Sequence, residues 1–289
     1  METSLGVGKC LITGATGEIG SRVVALLRER GVAFRLFVRN AEKAQQMFGD
    51  SPEIVTGDLG DAEALRRAFD GVSSIFLVNS GPDLADRDAL AARVARGMGV
   101  QSLVKLSTFD VQQGVGTGPW HARGENAIRD VDIAWTFLQP AGFMNNALAW
   151  APAIRMSGTV RGGTGEGRIA FIHPQDIADV ATQVLCARQA QGEALPLTGP
   201  VALSYREMVD RIATALGRRL QFRDQSEEEV RSEWLGRGES PESVAYHLSI
   251  FRAIREGHLA GVTDTVERVL RRPPRDFAGW VQENLAAFR

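Results

Sequence analysis

A chain of 289 residues carrying 33 Lys and Arg against 35 Asp and Glu is long enough for one large α/β domain, or for a domain with a smaller companion, and it is no disulfide-stapled miniature. The near-balance of charge excludes a sequence-wide field that would draw the protein onto nucleic acid or an anionic membrane. Only two cysteines occur, Cys10 in an apolar run and Cys186 in a helical pattern; neither has metal-ligand spacing around it, so no metal site is expected, and both read as buried thiols of a reducing compartment. The opening METSLGVGK lacks the apolar core of a signal peptide, and no stretch approaches the roughly 20 apolar residues of a membrane span. A cytoplasmic location, with no membrane partner and no nucleic-acid partner, is the expectation.

From Lys9 to about Trp150, short apolar runs alternate with amphipathic segments, the signature of repeated βα units feeding a parallel sheet buried on both faces. Strands are expected at Lys9–Thr13, Ala33–Val38, Glu53–Thr56, Ser74–Val78, Ser102–Leu106 and Ile133–Leu138, with helices between them. The helix from Ile19 to Arg30 places Ile19, Val23, Leu26 and Leu27 on one face, and Gly31 follows as a C-cap. Asp61 caps a helix whose Leu65 and Phe69 face inward. After Trp150 the rhythm changes. A Gly-rich stretch, Gly158 to Gly167, precedes helices at Asp176–Arg188, Tyr205–Leu216, Glu227–Leu235, Ser243–Glu256 and Phe277–Phe288, with short strands at Leu195–Thr198 and Leu220–Phe222. The expected architecture is a doubly wound, Rossmann-type parallel sheet over residues 1–150 and a smaller, mostly helical lobe over 151–289, some of whose segments return to the sheet.

The first strand runs straight into Gly14-Ala15-Thr16-Gly17-Glu18-Ile19-Gly20 and then into a helix, the context that lets a glycine motif cradle a dinucleotide. Gly14 permits the tight turn, Gly17 lets backbone approach a pyrophosphate, and Gly20 allows close packing. Thr16 adds a hydroxyl, and Glu18 and Ile19 open a helix whose N-terminus presents free N–H groups and a positive dipole to phosphate. The second strand ends in Val38-Arg39-Asn40, with no acidic residue to take a ribose hydroxyl. Arg39 instead suits a 2′-phosphate, with Lys43 one helical turn later, so NADP(H) is the expected cofactor. Asp58 and Leu59, after the third strand, are placed to clasp adenine, unless Gly57–Leu59 is an ordinary turn. Asn79 and Ser80 follow the fourth strand into the crevice where open α/β sheets bind ligands.

Taken together, GATGEIG, the basic Val38-Arg39, the Gly57-Asp58-Leu59 turn, VKLST at Val104–Thr108, LQPAGFMNN at Leu138–Asn146 and IHPQDIADVA at Ile172–Ala181 resemble the NmrA-like group of atypical short-chain dehydrogenases. That group includes quinone reductases, isoflavone-type reductases, ergot-alkaloid iminium reductases and redox-sensing regulators, and the resemblance covers nearly the whole chain. It implies that Gln139 and Pro140 run past the nicotinamide and that Ser107 and Thr108 stand where short-chain dehydrogenases keep a substrate-binding hydroxyl, or else cap the next turn. The chain departs from ordinary short-chain dehydrogenases in having no Tyr-x-x-x-Lys: its tyrosines are Tyr205 and Tyr246, neither followed by lysine at the fourth position. His121 and Glu125 occupy the corresponding place at the i, i+4 spacing of one helical face. The catalytic expectation is that His121, with a pKa near neutrality, donates a proton while Glu125 orients it or bonds ribose; a purely structural pair is the alternative.

Phe143, Met144 and Asn145 with Trp150 are expected to wall an apolar substrate pocket, joined by Thr108, Phe109 and Trp120, although core packing explains the Phe and Met equally well. His173 and Asp176 read as structural, Asp176 as a helix cap; His247 and His258 read as partnerless surface histidines, and Arg268 to Arg275 as a surface turn. The function expected is NADPH-dependent reduction of a small, largely apolar electrophile: a quinone, an iminium ion or a conjugated carbonyl. A regulator that senses NADP(H) without catalysis is the alternative, and a homodimer is an expected assembly. Nucleotide-sugar epimerisation is disfavoured by the missing tyrosine.

Overall fold

The computed structural model describes residues 8–187 and 190–289. Its first half is a run of βα units: β1 (Lys9–Thr13), α1 (Glu18–Glu29), β2 (Phe34–Val38), α2 (Ala41–Phe48), β3 (Glu53–Thr56), α3 (Ala62–Phe69), β4 (Val72–Leu77), α4 (Leu84–Gly97), β5 (Ser102–Leu106), α5 (Gly118–Arg129) and β6 (Ala134–Pro140). The expected strands are all present, with ends shifted by up to two residues, the usual uncertainty of a boundary. Strand order is β3-β2-β1-β4-β5-β6, followed by the strand Glu193–Leu197, and the pairs from β3 to β6 are parallel. Buried residues dominate β1, β2 and β4, as a sheet covered on both faces requires. Leu65, Phe69, Ile75, Leu77, Leu103 and Phe137 share one apolar core. The Rossmann-type class expected from the sequence is thus present.

Chain direction across the sheet reverses between β1 and β4, the switch point where α/β sheets open a crevice. Thr13 marks the place chemically. Its buried hydroxyl accepts from the Val78 N–H at 2.7 Å and donates to the Val78 carbonyl at 3.1 Å, so a side chain takes over where the ladder ends.

By internal contact the chain forms two compact units built from interleaved segments. The first runs to Thr108 and takes in Trp120–Gln139 and Ile177–Leu195; the second comprises Phe109–Pro119, Pro140–Asp176 and Pro196–Arg289. A single cut at residue 150 therefore does not describe the organisation, because segments after β5 and β6 leave the first unit and later ones rejoin it. The second unit has its own core around Phe109, Met144, Ile154, Met208, Phe222 and Trp280. Helices occur at Pro174–Ala187, Tyr205–Leu216, Glu227–Gly236 and Pro241–Arg255, close to expectation, while the last expected helix divides into Phe277–Glu283 and Leu285–Phe288. Arg188, the expected end of one helix, lies outside the described residues. The short strands Thr159–Gly162, Arg168–Ile169 and Leu203–Ser204 were not expected; the first sits in the Gly-rich stretch and the second directly follows it, and the glycines hid the pattern. Neither Cys10 nor Cys186 is in a disulfide, and Cys186 is only half-buried. Among the described residues no helix is long and apolar enough to cross a membrane, and no group of three or more His, Cys, Asp or Glu side chains is gathered to hold a metal ion.

Candidate functional site: a phosphate cradle and a buried polar hub

The turn between β1 and α1 is shaped by what its glycines lack. Gly14 has φ +58°, and a Cβ there would meet the Val78 side chain at 2.8 Å. At Gly20 a Cβ would sit 2.3 Å from the Gly14 carbonyl oxygen, so the helix packs against the turn's own backbone and only glycine fits. Gly17 N-caps α1 with no side-chain cap, which leaves the first N–H groups and the dipole of the helix for an anion. Ile19 is buried in the α1 face, so its side chain is structural, and Glu18 lies exposed in the first turn.

A cleft of about 320 Å³ opens beside this turn, lined by Gly14, Thr16, Arg39, Lys43, Asp58, Leu59, Asn79 and Ser80, all expected from the sequence. It is also lined by Thr13, Asn40 and Arg87, which were not expected to contribute. Asn40 caps α2 by accepting from the Lys43 N–H at 2.9 Å, thereby fixing the start of the helix that carries Lys43. Asp58 accepts from the Gly60 N–H at 2.8 Å and is 3.9 Å from Arg87. Three cations, Arg39, Lys43 and Arg87, thus meet one carboxylate in the lining. A glycine cradle, an uncapped helix terminus and an excess of positive charge fit a phosphorylated dinucleotide.

Behind Asn79 the polar groups run inward. Asn79 Nδ2 donates to Asp88 at 3.1 Å, and Asp88 pairs with Lys105 at 2.5 Å with both side chains fully buried. Lys105 lies on β5 and Asp88 on α4, so the ion pair ties helix to sheet. A second buried group, Glu125, accepts from Ser107 Oγ at 2.5 Å and Gln139 Nε2 at 2.9 Å, and pairs with Arg129 at 3.1 Å. The Arg129 guanidinium in turn lies over Trp135 and Phe137.

This hub corrects the expected His121 and Glu125 partnership. A carboxylate that is 1 % exposed must satisfy its oxygens, and Ser107 and Gln139 at the ends of two neighbouring strands do so. His121, one turn earlier on α5, is buried and its Nδ1 has no hydrogen-bond partner. Burial, and next the nearby charge of Lys105, push its pKa down to about 3, so the imidazole is neutral at pH 7 and not the near-neutral acid that the sequence suggested. Trp120, just before it, is half-buried.

The expected substrate residues scatter. Phe109 and Met144 belong to the core of the second unit, and Asn145 accepts from the Trp280 indole at 2.6 Å. Phe143 is half-buried in a backbone bridge with Ile172, and Thr108 is half-buried at the end of the first unit. Trp150 lines a cavity of about 540 Å³ wholly within the second unit. His247 lines the same cavity and packs edge-on to Trp234 at 4.7 Å, so it is no partnerless surface histidine, whereas His258 is exposed beside Glu256 at 3.5 Å. Asp176 does not cap its helix: fully buried, it is clasped by Arg272 at 2.7 Å, by the Arg275 N–H at 2.7 Å and by the Arg275 guanidinium. His173 accepts from the Gln175 N–H at 3.0 Å and contacts Glu283 at 3.1 Å.

Residues 14–187 match a family described as NAD(P)H-binding. Among characterised proteins the chain is 36% identical over 281 residues to a (4-alkanoyl-5-oxo-2,5-dihydrofuran-3-yl)methyl phosphate reductase of Streptomyces griseus, covering 96% of this chain and 98% of the relative. It is 35% identical over 288 residues to an NAD(P)H azoreductase of Xenophilus azovorans, with the same coverage of 96% and 98%. In fold it is similar to an NADPH-dependent quinone oxidoreductase of Escherichia coli solved with NADPH, at TM-score 0.88, 24% identity, and 95% and 99% coverage. The negative transcriptional regulator NmrA shares the fold at TM-score 0.77, 15% identity, and 96% coverage of both chains. With the glycine cradle in place, the chain belongs to the NAD(P)H-binding family.

Proposed function

We propose that this protein is an NADPH-dependent reductase of a small, largely apolar electrophile such as a quinone, an iminium ion or a conjugated carbonyl. The observation that carries the cofactor half is the cluster of Arg39, Lys43 and Arg87 in the cleft beside the glycine cradle, since a 2′-phosphate answers to that charge and a bare ribose does not. Reductase relatives at 35% and 36% identity favour catalysis over a purely regulatory role.

When bound, the dihydronicotinamide supplies a hydride. The α1 N-terminus would hold the cofactor's phosphates, Arg39 and Lys43 would grip the 2′-phosphate, and Asn79 and Ser80 line the same cleft. The Ser107, Glu125 and Gln139 hub keeps the ends of β5 and β6 in register, as a preorganised wall requires. No imidazolium is available from His121 at neutral pH, which suits acceptors that need no strong acid: an iminium carbon already carries positive charge, and a quinone that accepts hydride takes its proton from water.

The test is a titration with NADPH and NADH, followed at 340 nm with quinones, cyclic iminium ions and enones. NADPH consumption with selective NADPH binding is the expected result. Binding without consumption by any acceptor would favour the regulator, and binding of neither nucleotide would remove the cradle reading.

A further inference from the structure

The fully buried ion pair of Asp88 and Lys105, on α4 and β5, stands directly behind the cofactor cleft. Removing two charges from water is costly, and apolar side chains of similar volume often serve a core as well or better. The pair is therefore a poor device for stability alone, and its geometry connects it to the cleft instead.

The carboxylate of Asp88 divides its two oxygens. Oδ2 faces Lys105 at 2.5 Å, and Oδ1 accepts from Asn79 Nδ2 at 3.1 Å. A Cβ at Gly124 would lie 2.4 Å from Asp88 Oδ2, so the backbone of α5 packs against the carboxylate and a side chain there would displace it.

Asn79 is committed in the same direction. Its other amide proton goes to the Leu84 carbonyl at 3.1 Å. Carbonyls and carboxylates only accept, so nitrogen is the amide atom turned inward, and Oδ1 accepts from the Ser80 N–H at 2.9 Å. Both amide protons are thus spent within the protein, and the side chain has none left to donate to a ligand.

What Asn79 sets is the path of the chain as it leaves β4. Val78, Asn79 and Ser80 line the cleft together with Gly14 and Arg87. Val78 packs on the glycine cradle itself, where a Cβ at Gly14 would meet it at 2.8 Å. Asp83, the N-cap of α4, makes no side-chain cap bond, which leaves the Asn79 bonds to Leu84 and Asp88 to tie the turn to its helix.

We propose that Asp88 is a positioning residue for the dinucleotide. Lys105 holds the carboxylate, the carboxylate holds the Asn79 amide, and the amide fixes Val78 to Ser80 as part of the lining that meets NADPH. Asn79 is then a bracket rather than a direct ligand. The inference rests on the cofactor half of the reductase reading and requires no turnover.

Two double variants separate positioning from stability. Lys105→Met with Asp88→Leu and Lys105→Met with Asp88→Asn remove the same two charges and keep a similar volume, but only the second retains an oxygen that can accept from Asn79. Each whole protein is unfolded in urea without nucleotide and titrated with NADPH by cofactor fluorescence. The Asp88→Leu pair weakens NADPH about tenfold, as loss of one hydrogen bond to a charged group predicts, and the Asp88→Asn pair stays within about threefold of wild type, whichever of the two is the more stable in urea. Equal affinity in the two double variants, at the wild-type value or below it, overturns the proposal.

Asn79→Ala keeps the ion pair and tests the same chain of contacts even where the Asp88→Leu pair fails to fold. It weakens NADPH about tenfold, and combined with the Asp88→Leu pair it weakens it no further, because the two changes break one connection. Unchanged affinity in Asn79→Ala, or losses that multiply, also overturn the proposal. A wild-type protein that binds NADPH while these variants bind it equally well refutes the positioning role alone; a wild-type protein that binds no NADPH refutes the cofactor reading with it.

Discussion

Replacing Arg39 by Gln isolates the charge that separates NADPH from NADH. Arg39 is exposed at the end of β2 and shares the cleft with Lys43 and Arg87 against Asp58. At about 6 Å a single unit charge contributes roughly 0.7 kcal/mol in bulk water and nearly 3 kcal/mol at an effective dielectric constant of about 20. A bidentate, charge-assisted bond to phosphate lies in the same range, about 1.5 to 3 kcal/mol. The substitution should therefore raise the Kd for NADPH about 10- to 100-fold and leave that for NADH within about twofold. Titration of cofactor fluorescence at two ionic strengths measures it, and the NADPH penalty should shrink with salt because the site is open to water. Equal weakening of both nucleotides would mean that Arg39 supports the fold of the cleft, and no weakening of either would assign the 2′-phosphate to other residues. Arg87→Gln is the companion variant: a smaller loss confined to NADPH is expected, since Asp58 and Asp83 already lie within 4 Å of that guanidinium.

Further outcomes follow from the same geometry. Gly20→Ala places a methyl 2.3 Å from a carbonyl oxygen and should cost about 1 to 3 kcal/mol by overpacking, seen as a Tm lowered by several degrees even without nucleotide. Lys105→Met strands the buried Asp88 carboxylate and should cost about 3 to 5 kcal/mol in chemical denaturation, much of it recovered in the Lys105→Met, Asp88→Leu double variant; a double variant as unstable as the single one would contradict that account. His121 has a folded pKa depressed from 6.5 to about 3, so the unfolded chain binds the extra proton between those values. Its stabilising contribution is complete above pH 6.5 and falls by up to about 1.4 kcal/mol per pH unit as the pH drops toward 3; His121→Gln should flatten that part of the stability profile. For the same reason no ionisation of His121 should appear in kcat/KM between pH 5 and 8.

The β1 turn was legible because several local rules agree there: a short β-branched strand, glycines where no Cβ fits, and an amphipathic helix immediately after. Arg39 and Lys43 were legible by their distance from that turn. Arg87 was not, since a basic residue on a helix ordinarily signals nothing but a wet face, and its place in the cleft depends on the packing of α4. The partners of Glu125 were hidden for a different reason. His121 is its neighbour in sequence, but Ser107 and Gln139, 18 and 14 positions away, reach it only because β5 and β6 lie side by side. Phe143 to Asn145, a continuous segment expected to wall a substrate pocket unless the Phe and Met were core, does not form one surface. Met144 turns into the core and Asn145 is taken by Trp280, while the aromatic cavity draws Tyr205, Trp234 and Tyr246 from three helices.

The Asp176 clasp also constrains how the chain is made. Arg272 and Arg275 emerge from the ribosome almost a hundred residues after the carboxylate that they neutralise, and Phe277 and Trp280, in the same core, come later still. Until then the second unit cannot close without leaving a naked charge inside it, so its folding waits for nearly the whole chain to be synthesised. A protease that trims a few dozen residues from the C-terminus would return it to that unfinished condition.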